Sequence, residues 1–228
     1  MWQELYAELR PRGLQIVTVA LDAAGAETAR PWIEKAGATH PSLVDRAHLM
    51  DSLFGVTNVP SGVWIDEAGT IVRPPEPAHP RRPAYKDRAI PEDATPELRE
   101  RIETVRALHV EAERYVGALR DWVANGASSR FALTRDEVVR RSRPRPIGEA
   151  TAPAHFALGQ ELHARAMRDD AIAHFKEAHR LDPTNWTYRR DAWSLVAAEH
   201  EKIYDTSWLE EVKREGVERY YPPLDMPE

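Results

Sequence analysis

The sequence predicts an α/β region followed by an all-α region. Over residues 1–73 the spacing of apolar residues alternates between helical and strand periods, residues 74–96 are rich in proline, and beyond residue 96 every periodic signal is helical. The length of 228 residues suits one or two domains. We expect four segments: an α/β module over 1–73, a proline-rich connection over 74–96, a long helix, a short helix and an Arg/Pro linker over 97–146, and a helical domain with a capping helix and C-terminal tail over 147–228.

In the first segment, helices are marked by apolar spacing and by the glycines and prolines that end them. The run over 14–21 is apolar and β-branched, which is typical of a strand buried on both faces. Gly69 lies in a tight turn that calls for positive φ. The expected elements are a helix over 2–9, a strand over 14–21, helices over 26–36 and 47–54, and strands over 62–66 and 70–73.

In the helical half, Thr95 is placed to cap a helix that begins at Pro96. The apolar seam that follows repeats every seven residues as far as Val123, and it predicts one long helix. Thr134 and Glu137 have the spacing of a capping box that opens a short helix. Members of the seam are Leu98, Ile102, Val105, His109, Ala112, Val116, Leu119 and Val123.

Composition excludes several kinds of chemistry. The 228 residues include no cysteine, so they can form no disulfide, Cys-ligated zinc site, iron–sulfur cluster or thiol nucleophile. A formal net charge of −6 argues against broad electrostatic binding of nucleic acid. Runs of about 18 apolar residues are absent, so the sequence predicts no membrane span.

Residues 41–72 resemble the thioredoxin-like redoxins of the TlpA/ResA type. The likeness rests on four short runs, and it covers about a third of the chain when the strand over 14–21 is added. These runs are Pro41-Ser42-Leu43-Val44-Asp45, Leu53-Phe54-Gly55-Val56, Asn58-Val59-Pro60 and Trp64-Ile65-Asp66-Glu67-Ala68-Gly69-Thr70-Ile71-Val72.

The resemblance implies a thioredoxin-like fold, descent from a thiol–disulfide oxidoreductase, and a cis peptide bond at Val59-Pro60. It also implies that Asn58, Val59, Pro60 and Ser61 bind the backbone of a polypeptide substrate. No residue can be assigned as catalytic, because the dithiol that reacts in the family has no counterpart among these residues.

Compared with that family, the sequence begins inside the helix that follows the Cys-x-x-Cys motif. We therefore expect an N-terminally incomplete module that lacks its first strand and its dithiol. The strands over 14–21 and 62–66 should then face one another across a gap instead of pairing directly. A cytoplasmic location follows if Met1 is the true start, and export is open if an upstream segment exists, although the first residues do not form a signal peptide.

Residues 152–185 resemble a single tetratricopeptide repeat (TPR). The small residues of the repeat let two helices approach, its large residues fill the space between them, and its proline ends the second helix. Shifts of about 34 residues in either direction reveal no second copy, so the repeat must pack on other helices, with a capping helix over 186–203. The matched positions are Leu158, Gly159, Leu162, Ala171, Phe175, Ala178 and Pro183.

Neither metal nor cofactor is predicted. His174 and His179 are five residues apart and His155 and His163 are eight apart, whereas two ligands on one helical face need a spacing of four. His155 also lies at the usual Trp position of the repeat, so helix packing explains it better. The sequence contains no Gly-rich phosphate loop, no HExxH and no Gly-x-Ser-x-Gly motif.

Two surfaces allow alternatives. The arginines over 140–145 favour a solvated linker over contacts with nucleic acid, because no aromatic residues interleave with them. A C-terminal group of aromatic residues favours a packed core over a peptide-binding surface. That group comprises Trp186, Tyr188, Trp193, Tyr204, Trp208, Tyr220 and Tyr221.

Two functions follow from these observations. The first is a thioredoxin-like protein with a TPR-like interaction domain that keeps the substrate-docking surface of a redoxin without its reaction. The alternative is a non-enzymatic scaffold that recruits a partner through its helical half. Both imply a protein or peptide partner, and neither favours a particular oligomeric state.

Overall fold

The computed structural model describes residues 2–142, 144–196 and 207–227. It has the expected mixed α/β layout followed by helices, with two small sheets. The strands are β1 Thr18–Leu21, β2 Ser42–Asp45, β3 Ser61–Ile65 and β4 Ile71–Pro77. The helices are α1 Trp2–Leu9, α2 Ala26–Ala36, α3 Leu49–Phe54, α4 Pro96–Ala107, α5 Ala112–Asn125, α6 Arg135–Arg141, α7 Ile147–Ala164, α8 Arg168–Leu181, α9 Trp186–Val196, α10 Trp208–Glu215 and α11 Val217–Tyr220.

Each sheet has two strands. β1 and β2 pair in parallel, with Thr18 opposite Ser42 and Leu21 opposite Asp45, and α2 forms the crossover between them. β3 and β4 form the predicted antiparallel hairpin. The Asp66 carboxylate closes its turn by accepting hydrogen bonds from the next backbone amides, and Gly69 has a φ of +79°. In the described part of the chain β1 and β3 belong to different sheets, so the expectation that they do not pair directly is confirmed.

The first strand is shorter and more exposed than predicted. Only Thr18–Leu21 is a strand, and all four of its residues are half-buried, so the expectation of a strand buried on both faces over 14–21 is wrong. Val17, just before β1, and Leu43 of β2 are 50% and 54% exposed. The reason is that β1 has a partner on one edge alone among the described residues, and a two-stranded sheet cannot cover its own apolar side chains.

The proline-rich connection begins later than predicted, because β4 continues through Pro77. Proline fixes φ in a range that extended backbone accepts, and on the outer strand of a hairpin the missing N–H need not break a ladder bond. Arg73 of this strand is fully buried, and its guanidinium donates to the carboxylate of Glu76 and to the carbonyl of Phe131.

The single long helix expected from Pro96 to Val123 is two helices, which is a second correction. The chain leaves helical geometry at Leu108, where ψ is 135°, and resumes it at Ala112. Leu108 is buried against Trp186 and Tyr220, so its side chain packs on the C-terminal half instead of continuing the seam. The predicted caps at both ends of this region are present: Thr95 accepts from the amide of Leu98, and Thr134 accepts from that of Glu137.

The α7–α8 pair forms the predicted helical hairpin. Gly159, Ala171 and Phe175 are buried at the contact between the helices, and Ala178 belongs to the same cluster. Leu162 packs at its edge, and Pro183 follows the end of α8. The prediction is wrong for Leu158, which is 43% exposed because it lies on the outer face of α7. Of the capping helix, α9 is confirmed over Trp186–Val196, and the rest lies outside the described residues.

Packing crosses the expected segment boundaries. One cluster joins α1, β3 and α5 to the C-terminal tail through Leu224 and Met226. A second lies within α7, α8 and α9, and a third joins Leu108 to the aromatic residues of α9 and α11. The helical half therefore packs directly on the α/β half. In the described ranges no helix has both the length and the apolar character needed to cross a membrane.

The closeness of α7 and α8 can be tested at Gly159. A β-carbon there would lie 2.7 Å from the ring of Phe175, so Gly159→Ala should overpack the contact and lower the free energy of unfolding by about 1–3 kcal/mol. Urea denaturation would measure the change.

Gly117→Ala is the matched control, since a β-carbon on this α5 glycine meets nothing within 4 Å. This control should be neutral or stabilising, by up to about 1 kcal/mol. Equal destabilisation by the two substitutions would contradict the described packing of α7 on α8.

Candidate functional site

The segment Thr57–Ser61 runs from the turn after α3 into the first residue of β3, and it is called the docking loop because the resemblance assigns polypeptide binding to residues within it. α3 ends at Gly55, whose φ of +77° lies in the left-handed region that glycine adopts more easily than other residues. The Val59-Pro60 bond is cis, which confirms the prediction. Within the docking loop, the side-chain oxygen of Asn58 accepts a hydrogen bond from the amide of Val59 at 2.9 Å.

One side of the docking loop is held by the start of α9. The first amides of a helix lack partners within the helix. Here the amides of Trp186 and Thr187 both donate to the carbonyl of Thr57, at 2.7 and 3.3 Å. The docking loop thus supplies an acceptor for the first amides of α9, and these two hydrogen bonds hold the loop against the start of that helix.

The C-terminal aromatic residues hold the centre of the docking loop. The carbonyl of Val59 accepts from the hydroxyl of Tyr221 at 2.8 Å and from the guanidinium of Arg190 at 3.3 Å. The side-chain amide of Asn58 donates to the carbonyl of Tyr220 at 2.6 Å. Burial raises the pKa of Tyr221 above its usual range, so its hydroxyl keeps its proton and remains a donor.

Beside Val59 lies a cavity of about 240 Å³ between the carboxyl end of β1 and α9. Most of its polar groups are already used: Asp22 accepts from the hydroxyl of Thr28 and from two backbone amides. Asp191 is buried, with one carboxylate oxygen accepting from the amide of Ala23 and the other 3.4 Å from His48 Nε2. The lining residues are Leu21, Asp22, Val59, Thr187, Arg190, Asp191 and Ser194.

The position of α9 depends on the fully buried carboxylate of Asp51 in α3. Arg145 donates to it at 3.1 Å and Asn185 at 3.0 Å, and the Tyr188 hydroxyl also donates to it. Asn185 in turn accepts from the amide of Thr187, so the residue that caps α9 is tied to α3. Burial raises the pKa of Tyr188 far above its usual range, which keeps this hydroxyl protonated.

The arginines over 140–145 form the expected solvated linker only in part: Arg140 is 74% exposed, whereas Arg141 and Arg145 are mostly covered. Arg145 leaves only a quarter of its side chain exposed and pairs with Asp51. Arg140 and Arg141 both pair with Glu137, and Arg141 also contacts Asp225 at 3.0 Å. Arg143 lies outside the described residues. Glu137 is a local partner, whereas Asp51 and Asp225 are distant in the sequence and are brought to Arg145 and Arg141 by the fold.

The C-terminal aromatic residues are core, as the favoured interpretation predicted. Trp186, Tyr188, Tyr220 and Tyr221 are buried, while Tyr204 lies outside the described residues. His109, which is half-buried, donates a hydrogen bond to the Glu111 carboxylate at 2.7 Å.

Sequence reasoning proposed Asn58, Val59, Pro60 and Ser61 as binding residues and did not anticipate the residues that contact them. Arg190 and Asp191 are about 130 positions away along the chain and carry no motif of their own. Comparison with known proteins adds no assignment: no family model, no curated protein and no solved structure matches the chain.

The Asp51 cluster can be tested by Asp51→Asn, which keeps the shape of the side chain and removes its charge. Arg145 would then be left partly buried without a counter-ion, and breaking such a pair should lower the free energy of unfolding by about 3 kcal/mol. Chemical denaturation would measure it. Glu67→Gln, on the exposed hairpin turn, should change stability by less than about 0.5 kcal/mol. If Asp51→Asn had the same free energy of unfolding as the wild type, the hydrogen bonds of Asp51 would not be what holds α9 in position.

A second test uses pH. Burial, reinforced by the charge of Lys86, lowers the pKa of His79 to about 4, and its ring packs edge-on against Tyr221 at 4.9 Å. Because the unfolded chain binds the proton more tightly, stability from this residue is complete above about pH 6.5 and is lost as the pH falls toward 4. The free energy of unfolding should decline over that window, and His79→Gln should flatten the decline. An unchanged slope in the variant would contradict the assignment.

Proposed function

We propose that this chain is a polypeptide-docking unit of thioredoxin-like type joined to a TPR-like interaction domain. Support comes first from the resemblance of residues 41–72 to redoxins of the TlpA/ResA type. It comes also from the order of elements, in which a parallel pair β1–β2 with a helical crossover is followed by α3, the docking loop and the hairpin β3–β4.

The observation that carries the proposal is the cavity next to Val59. It places an open volume of about 240 Å³ against Val59, one of the four residues that the resemblance assigns to substrate binding. Its polar lining residues are Asp22, Thr187, Arg190, Asp191 and Ser194. An extended polypeptide offers amide N–H donors and small side chains, which suit such walls.

The proposed role is binding and not thiol chemistry. The 228 residues contain no cysteine, so none of them can attack a disulfide or form one. Any exchange reaction at this surface would use thiols that belong to another segment or another molecule.

A second function, a non-enzymatic scaffold acting through the helical half, is favoured by a different observation. The carbonyls of Thr57 and Val59 already accept hydrogen bonds from α9 and Tyr221. In a scaffold these bonds would be permanent and would serve only to join the two halves, leaving the exposed face of α7 and α8 to bind the partner.

An NMR titration with an unfolded, carboxymethylated polypeptide separates the two functions. Docking predicts shifts at residues 57–61 and at the cavity-facing part of α9. The scaffold predicts shifts on the outer faces of α7 and α8, near Leu158. The docking proposal concerns the polypeptide backbone, so an unfolded probe of any sequence should bind. An unchanged spectrum at high polypeptide concentration would contradict it.

Tyr221→Phe sharpens the test, because it removes one donor to the Val59 carbonyl and frees that acceptor for a bound backbone. If the docking proposal holds, the affinity for the polypeptide should rise about fivefold, the equivalent of one ordinary hydrogen bond. Tyr85→Phe is the matched control, since the buried Tyr85 hydroxyl has no hydrogen-bond partner among the residues that the structure describes. A fall in affinity, or the same change in both variants, would argue against docking at Val59.

A further inference from the structure

A pair of histidines joins α7 to α8. His155 and His174 are 19 residues apart in sequence, yet their Nδ1 atoms lie 2.9 Å apart, with ring centroids separated by 5.1 Å. The packing of the hairpin brings the two histidines together, because the next residue after each, Phe156 and Phe175, meet in the buried contact between the helices. Both histidines are half-buried, so they are held in place and remain reachable from solvent.

The separation of the two nitrogens lets a metal ion bind both once each ring turns toward it, because in the present hydrogen bond each Nδ1 points at the other. Imidazole nitrogens bind first-row divalent ions at about 2.0–2.1 Å. Two nitrogens 2.9 Å apart then subtend an angle of about 90° at the metal, by the geometry of those bond lengths. That angle is the one between neighbouring ligands in square-planar and octahedral complexes, which Cu²⁺ and Ni²⁺ prefer with nitrogen and oxygen donors.

A carboxylate lies one helical turn from the pair. Glu177 is three residues after His174 on α8, which puts the two side chains on one face. The hydrogen bond from Arg180 chiefly lowers the pKa of Glu177, and the proximity of His155 and His174 lowers it further. The bonds between Arg180 and Glu177, at 2.6 and 2.7 Å, are on the surface, where such a pair contributes little and can be exchanged.

We propose that His155 and His174 bind one divalent transition-metal ion through their Nδ1 atoms, with Cu²⁺ bound most tightly and Ni²⁺ next. The described residues hold no group of three potential ligands already assembled, so Glu177 would become the third ligand by turning away from Arg180, and water would fill the remaining positions. Without metal, one ring donates an Nδ1 proton to the other. On metal binding the donating ring carries its proton on Nε2 instead, so both Nδ1 lone pairs are available and no redox partner is needed.

The test is titration of the tag-free 228-residue protein with CuCl₂ and NiCl₂, followed by calorimetry. Wild type should bind one ion per chain, and His155→Gln or His174→Gln should weaken that binding at least tenfold. His163→Gln, on α7 but outside the pair, should leave it unchanged. Glu177→Gln should weaken it by less than either histidine substitution. Equal affinity in wild type and in both histidine variants would overturn the proposal.

A readout in the wild-type protein removes dependence on how the variants fold. Metal that binds the native hairpin at a hundredfold excess over its Kd should raise the Tm by about 5–10 °C. With diamagnetic Zn²⁺ as the probe, the ¹⁵N shifts of Nδ1 in His155 and His174 should move while those of His163 stay. A Tm that does not rise with any of the three ions, or Zn²⁺ shifts confined to other histidines, would also overturn the proposal.

Discussion

The hydrogen bonds of the buried Asp51 carboxylate determine how the two halves of this protein pack together. The carboxylate is a full charge removed from water, and such a group is stable only when its oxygens are fully bonded. Its partners come from two separate parts of the chain: Arg145 from the linker, and Asn185 and Tyr188 from the start of α9. Satisfying this one group therefore requires the helical half to lie on α3.

The consequences extend to the docking loop. Since α3 leads directly into residues 57–61, fixing the start of α9 beside Asp51 also brings its first amides against the Thr57 carbonyl. Arg190 and Asp191, one helical turn further on, then reach Val59 and the end of β1. The cavity beside Val59 is thus bounded by two halves of the chain, and neither half would form it alone.

Charged groups recur wherever the halves meet. Arg73, buried on β4, donates to Glu76 and to the carbonyls of Phe131 and Asp225, so it connects the hairpin to the C-terminal tail. Arg114 of α5 contacts the same tail through the Leu224 carbonyl. Apolar clusters supply the non-directional part of the packing, whereas these charged hydrogen-bond donors fix the position of each segment relative to its neighbours. An interface of this kind restricts what can approach the docking loop, which bears on both proposed functions.

The sequence by itself determined the local structure and the likeness to known motifs. Helix caps at Thr95 and Thr134, the hairpin turn at Gly69, the cis bond at Val59-Pro60 and the close contact at Gly159 all depend on a few neighbouring residues or on a short fixed spacing.

Tertiary structure alone decided the rest. It ended the long helix at Leu108, because burial of that side chain outweighs seven-residue periodicity, and it gave Arg145 a buried partner 94 positions away. It also brought His155 to His174. Such pairs have no sequence signal, because their distance along the chain is set by how whole helices pack and not by the period of any one of them.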